Sequence, residues 1–133
     1  MNILLDTHIL LWAAAGRLPK KAECLVTDGE NILFFSSVSI WEIAMKSELG
    51  RNDFSIDIHI LYRELIEHQY RELSVMARHA IMAQSLPNIH KDPFDRLLLA
   101  QATVEGYYLL TSDYIMKKYP GPIIYIPSTT ESC

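Results

Sequence analysis

The chain has 133 residues, half of them apolar and about a fifth charged, a composition that argues for one globular domain and against disorder or low complexity. Its formal charge of −4 argues against a nucleic-acid binder that works through a broad basic surface, so any phosphate would have to be neutralised locally or by metal. Two cysteines, Cys24 and Cys133, make neither a metal spacing nor a disulfide framework, and fit a reduced cytosolic setting.

The apolar opening from Ile3 to Ala15 ends in small residues. No Lys or Arg precedes it, and Asp6 and His8 interrupt it, unlike a secretory leader. No apolar run reaches the length of a membrane span. A soluble cytoplasmic protein without membrane contact is expected.

Ile3-Leu4-Leu5 is an unbroken apolar run, the pattern of a strand buried on both faces. Asp6 or Thr7 can cap a short helix through Ala14 that Gly16 stops. Pro19 suits the start of a second helix from Lys20 to about Asp28. Ile32 to Phe35 reads as the second buried strand, and Ser36, Ser37 and Ser39 are each able to cap the helix that follows, about Val38 to Leu49. A loop from Arg51 to Ser55 leads to a helix from about Asp57 to His68, where Ile58, Leu61, Leu65 and Ile66 recur at helical spacing.

Glu72 to Val75 reads as a short strand and Ala77 to Gln84 as a helix ended by Leu86-Pro87. Asp92 before Pro93 has the form of an N-cap with proline at the first helical position, opening a helix that Gly106 closes. Tyr107 to Thr111 is a further strand, and Ile123 to Ile126 the last. Alternating strands and helices imply an α/β sandwich around a mainly parallel sheet.

The acidic residues fall in a pattern on this outline. Asp6 follows the first strand, Glu42 lies early in the helix after the second, Asp95 lies in the first turn of a later helix, and Asp113 follows the Tyr107–Thr111 strand. Strand ends and the starts of the following helices share one edge of such a sheet, where chemistry gathers. Four carboxylates are therefore expected to converge there. Like charges at close range oppose one another's ionisation, and a hard divalent cation relieves this, with oxygen ligands suiting Mg²⁺ or Mn²⁺ rather than zinc. Two metals roughly 3.5–4 Å apart are a recurring nuclease arrangement.

Leu4-Leu5-Asp6-Thr7-His8-Ile9-Leu10-Leu11-Trp12, Ser39-Ile40-Trp41-Glu42-Ile43-Ala44, Asp92-Pro93-Phe94-Asp95-Arg96-Leu97-Leu98-Leu99-Ala100-Gln101-Ala102 and Leu110-Thr111-Ser112-Asp113 together resemble the PIN-domain ribonucleases. More narrowly, they resemble the VapC-type toxins of bacterial toxin–antitoxin pairs. Each motif alone is weak; four in register, over nearly the whole chain, are specific. The resemblance implies a PIN-like three-layer sandwich over residues 1–127, and the polar residues 128–133 are read as a flexible tail. It implies a Mg²⁺- or Mn²⁺-dependent endoribonuclease with Asp6, Glu42, Asp95 and Asp113 as the catalytic, metal-binding acids, Asp113 standing at the family's most variable position. It also implies a homodimer, an RNA substrate, and a VapB-type antitoxin whose tail lies across the toxin groove in a hetero-oligomer.

Each residue also has an ordinary reading. Asp6 can be a cap, Asp95 a favourable charge at a helix start, Glu42 and Lys46 a surface pair four apart, and Asp113 a turn residue. For Asp92 the cap is the better reading, with a place in the acidic cluster as the alternative. Lys46, Lys91 and Arg96 can contact RNA phosphates, balance the carboxylates, or be solvated charge. Trp12 and Trp41 can pack in the core or line an antitoxin groove. His8 is read as structural, and His59, His68, His79 and His90 show no ligand spacing and are read as surface or core-edge residues. Three other functions compete: an RNA-processing PIN nuclease without an antitoxin, a non-catalytic α/β metal-binding module, and a phosphoacceptor receiver domain. The last needs an acidic pair after the first strand and a Lys after the fifth, both absent here.

Overall fold

A computed structural model describes residues 1–50 and 56–128; the loop expected at Arg51–Ser55 and residues 129–133 of the expected tail, Cys133 included, lie outside the described residues. The strands are β1 (Asn2–Leu5), β2 (Ile32–Ser36), β3 (Arg71–Leu73), β4 (Tyr108–Thr111) and β5 (Ile123–Tyr125). The helices are α1 (Thr7–Ala14), α2 (Lys20–Thr27), α3 (Ser37–Glu48), α4 (Ile58–Glu67), α5 (Ala77–Ser85) and α6 (Pro93–Glu105), with a 3-10 turn at Met116–Lys118.

The strands form one parallel sheet in the order β3-β2-β1-β4-β5. Ile3, Leu4 and Leu5 are wholly buried because β1 is the central strand. Successive side chains of a strand point to opposite faces, and the two cores follow that alternation. Ile3, Leu5, Phe35 and Leu110 join α1, α2 and α4 on one side. Leu4, Phe34 and Leu109 join Leu98, Leu99 and Ala102 of α6 on the other. This is the expected three-layer sandwich. Among the described residues no helix is long and apolar enough to cross a membrane.

Chain order reverses between β1 and β4: from β1 the chain steps outward through β2 and β3, then returns to β4 on β1's other side. Such a switch point opens a crevice beyond the strand ends. Asp6 and Asp113 follow the two strands that flank it.

Caps fix where the helices begin. Asp6 accepts the Ile9 N–H at 2.8 Å, Ser36 rather than Ser37 or Ser39 caps α3, and Asp92 caps α6 with Pro93 following it. Gly106 closes α6 at φ 74°, a conformation that glycine adopts without steric cost. The short strand expected at Glu72–Val75 sits at Arg71–Leu73 instead. Its one neighbour among the described residues, β2, gives out at Ser36, and the Val75 N–H turns away to the Ser37 hydroxyl at 3.2 Å.

One expectation needs correction. His79 is no core-edge residue: it is wholly buried, with Nδ1 accepting the Met76 N–H at 2.9 Å and Nε2 2.8 Å from Glu105. Glu105 lies at the end of α6 and also takes the Arg78 guanidinium at 2.8 Å, so the pair ties α5 to α6.

Candidate acidic site at the switch point

Asp6, Glu42, Asp92, Asp95 and Asp113 all line one cavity of about 420 Å³ at the carboxyl edge of the sheet, with Lys46 and His90 among its other walls. They come from four separate stretches of chain, each delivered by a strand end or a helix start.

Asp6 is buried and both its oxygens are engaged. Oδ1 caps α1 through Ile9, and Oδ2 accepts a hydrogen bond from the Thr111 hydroxyl across the β1–β4 seam. Burial pushes its carboxyl up to about 6, against the hydrogen bonds from Thr111 and Ile9. Glu42, also buried, accepts the Thr7 hydroxyl on Oε1 and the Lys46 ammonium on Oε2, both at 2.6 Å. Asp95 sits in the first turn of α6. Burial, then the charges of Asp92, Asp6, Glu42 and Asp113, push its carboxyl up to about 8. Without a cation the site is therefore too crowded to carry its full charge at neutral pH.

Asp113 is held from both sides. Its Oδ1 accepts the Ile115 N–H at 2.9 Å, and its Oδ2 lies 2.7 Å from His90 Nε2. Asp92 spends Oδ1 on the α6 cap, while Oδ2 stands 3.8 Å from Lys46. The cap and the acidic cluster were posed as alternatives, and the residue occupies both positions.

The sequence reading missed His90. Asp95 Oδ2 is 3.2 Å from its Nε2, and one ligand atom each from His90, Asp95 and Asp113 fit within 4.8 Å of one another. The Asp92 N–H donates to its Nδ1 at 3.0 Å. A neutral imidazole carries one proton, so with Nδ1 accepting, Nε2 holds the hydrogen and donates it to Asp113. In this tautomer His90 orients a carboxylate rather than ligating a metal. The donors left for a cation are carboxylate oxygens, the set that fits Mg²⁺ or Mn²⁺, and a cation would offset the repulsion that raises Asp95.

The cationic residues part company. The Lys46 ammonium is held above its usual range although burial opposes this, because Glu42 hydrogen-bonds it and Asp92 and Asp95 add their charge. Arg96 turns away from the acids: its guanidinium donates to the Pro87, Ala83 and Leu86 carbonyls and the Tyr119 hydroxyl, closing the end of α5. Lys91 is exposed. The tryptophans differ too. Trp12 packs half-buried against the core, whereas Trp41 is 62% exposed and meets Phe94 edge-on at 5.5 Å. His8 is exposed at the cavity wall.

The model of the PIN domain matches residues 3–122 of the chain. Ribonuclease VapC22 of Mycobacterium tuberculosis is 29% identical over 127 residues, covering 92% of this chain and 96% of that protein. In the crystal structure of VapBC2 from Rickettsia felis bound to a promoter DNA fragment, a chain superposes with a TM-score of 0.70 at 16% identity, covering 95% of this chain and 99% of that one. The DNA-bound VapBC of Salmonella typhimurium matches equally well, with a TM-score of 0.70 at 16% identity over 93% of this chain and 97% of its counterpart.

Proposed function

Because the chain belongs to the PIN-domain family, we propose that it is a Mg²⁺- or Mn²⁺-dependent endoribonuclease acting as the toxin of a toxin–antitoxin pair. The observation that carries the reading is the convergence of Asp6, Glu42, Asp95 and Asp113 on one cavity, where the Asp95 carboxyl is raised to about 8. Such a site stores a demand for divalent charge. The VapC22 ribonuclease and the VapBC assemblies among its relatives support the toxin role.

In this reading the four acids would hold the cation, which would supply water activation and charge neutralisation at the scissile phosphate. The rest falls to the chain itself. The Thr111 and Thr7 hydroxyls, each donating to an acid, fix the Asp6 and Glu42 carboxylates. His90 fixes Asp113, and Lys46 balances the charge of Glu42. Cleavage leaves 5′-phosphate and 3′-hydroxyl ends. Residues 1–127 act as one PIN domain, working in the cytoplasm as a homodimer that a VapB-type antitoxin inhibits by covering the groove near Trp12 and Trp41.

The test is cleavage of single-stranded RNA by the purified chain. Mg²⁺ or Mn²⁺ supports it, EDTA stops it, and added metal restores it. Undiminished cleavage in EDTA, or by Asp95→Asn, sinks the metal-site assignment. Release of inhibition from a co-purified small DNA-binding partner separates the toxin from a processing nuclease that has no antitoxin.

A further inference from the structure

We propose that Tyr114, flanked by Lys117 and Lys118, is a stacking platform for an unpaired base of the RNA strand entering the acidic site. The inference rests on the nuclease reading above and names how its substrate is held.

A site walled by five carboxylates repels a polyanion, so cations elsewhere must draw the strand in. Lys46 and Arg96 are already engaged, by Glu42 and by the backbone carbonyls at the end of α5. Lys117 and Lys118 differ. Among the described residues neither has a carboxylate partner. Their ammoniums instead face aromatic rings: Lys117 lies 5.8 Å from the Tyr114 ring centre and 5.1 Å from that of Tyr125, and Lys118 lies 5.5 Å from Tyr114.

Tyr114 is 61% exposed and leans edge-on against Tyr125 with ring centres 6.2 Å apart. It stands between Asp113 and Ile115, both of which line the acidic cavity. The Ile115 N–H bonded to Asp113 and the buried Met116 fix this turn. An exposed ring next in sequence to the cavity-lining Asp113, with the Lys117 and Lys118 ammoniums over it, offers the two components of single-strand recognition: an aromatic surface for a base and charge for the backbone. A duplex keeps its bases stacked on one another and offers none to the ring.

The test measures binding of a labelled single-stranded RNA and its duplex in Mg²⁺, in an Asp95→Asn background so that the strand survives. Tyr114→Ala should weaken single-strand binding about tenfold or more and leave the duplex unchanged. Tyr114→Phe, which keeps the ring, should bind as the parent does. Lys117→Ala and Lys118→Ala should each flatten the salt dependence by about 0.7 in log–log slope. Tyr114→Ala binding as tightly as its parent, or losing duplex and single strand alike, overturns the platform. So does a Tyr114→Ala defect confined to a protein partner. Cleavage by the unaltered chain is assayed in parallel: cleavage with no effect at Tyr114 removes the platform alone, and absence of both cleavage and RNA binding removes the nuclease reading with it.

Discussion

Two histidines in this molecule are wired the same way and serve different ends. His79 and His90 each accept a backbone N–H on Nδ1 and present Nε2 to a carboxylate, at 2.8 Å for Glu105 and 2.7 Å for Asp113. Around Glu105 the neighbours are favourable: the His79 hydrogen bond first, then that of Arg78, hold its carboxyl below the usual range. Around Asp113 the neighbours are other acids, and Asp95 beside it is pushed up to about 8. The same hydrogen-bond device gives a structural tie where charges balance and a cation-demanding pocket where they do not.

The sharpest way to break the comparison is at the acids. Asp95→Asn should lower RNA cleavage by more than about 100-fold and raise the melting temperature of the metal-free protein, since it removes a carboxyl that the fold forces to stay neutral. Glu105→Gln should leave cleavage intact and lower the melting temperature. Parallel cleavage assays and thermal melts decide both.

pH should separate the two regions by sign. Asp95 is raised from 3.8 to about 8 and Asp6 from 3.8 to about 6. Between the unfolded and folded values the native state binds more protons, so metal-free stability is fully present below about pH 4 and falls as pH rises towards 8. Metal displaces those protons, so Mn²⁺ affinity measured by calorimetry should tighten across pH 6–8 and level off above. Glu105 is lowered from 4.5; its contribution is present above that value and is lost on acidification. Metal affinity independent of pH between 6 and 8 would contradict the assigned acids.

Next in size are the histidines. His79→Ala removes a wholly buried ring and orphans the Met76 N–H, a loss of about 2–3 kcal/mol in chemical denaturation with specific activity unchanged. His90→Ala should cost little stability yet weaken Mn²⁺ binding by about tenfold, the effect of freeing a ligand from the group that orients it. Lys46→Met strips the buried Glu42 carboxylate of its cation and is expected to lower metal-free stability at neutral pH; a denaturant titration measures it.

Much of this was legible in the sequence. Unbroken apolar runs at Ile3–Leu5, Ile32–Phe35 and Leu109–Leu110 mark strands buried on both faces, and an acid placed directly after such a run has few places to go but the sheet edge. What stayed hidden depends on a third element arriving from elsewhere. His90 shows no ligand spacing because its partner Asp113 lies 23 residues away and is brought beside it by β4. Arg96 looks like a phosphate contact until the end of α5 offers its carbonyls. Trp12 and Trp41 share a residue type and a helical setting, yet only the packing tells that one is covered and the other bare.

Asp6 carries framework duties that Asp95 lacks. One of its oxygens starts α1 and the other holds Thr111 on the neighbouring strand, whereas the Asp95 side chain stands 3.2 Å from His90 Nε2 and caps no helix among the described residues. Drift can thus silence position 95 at little architectural cost, while replacing Asp6 by an apolar residue would undo a helix start and a strand tether together. Inert descendants of such a chain should keep the first aspartate long after shedding the third, so a surviving Asp6 by itself is poor testimony of a living nuclease.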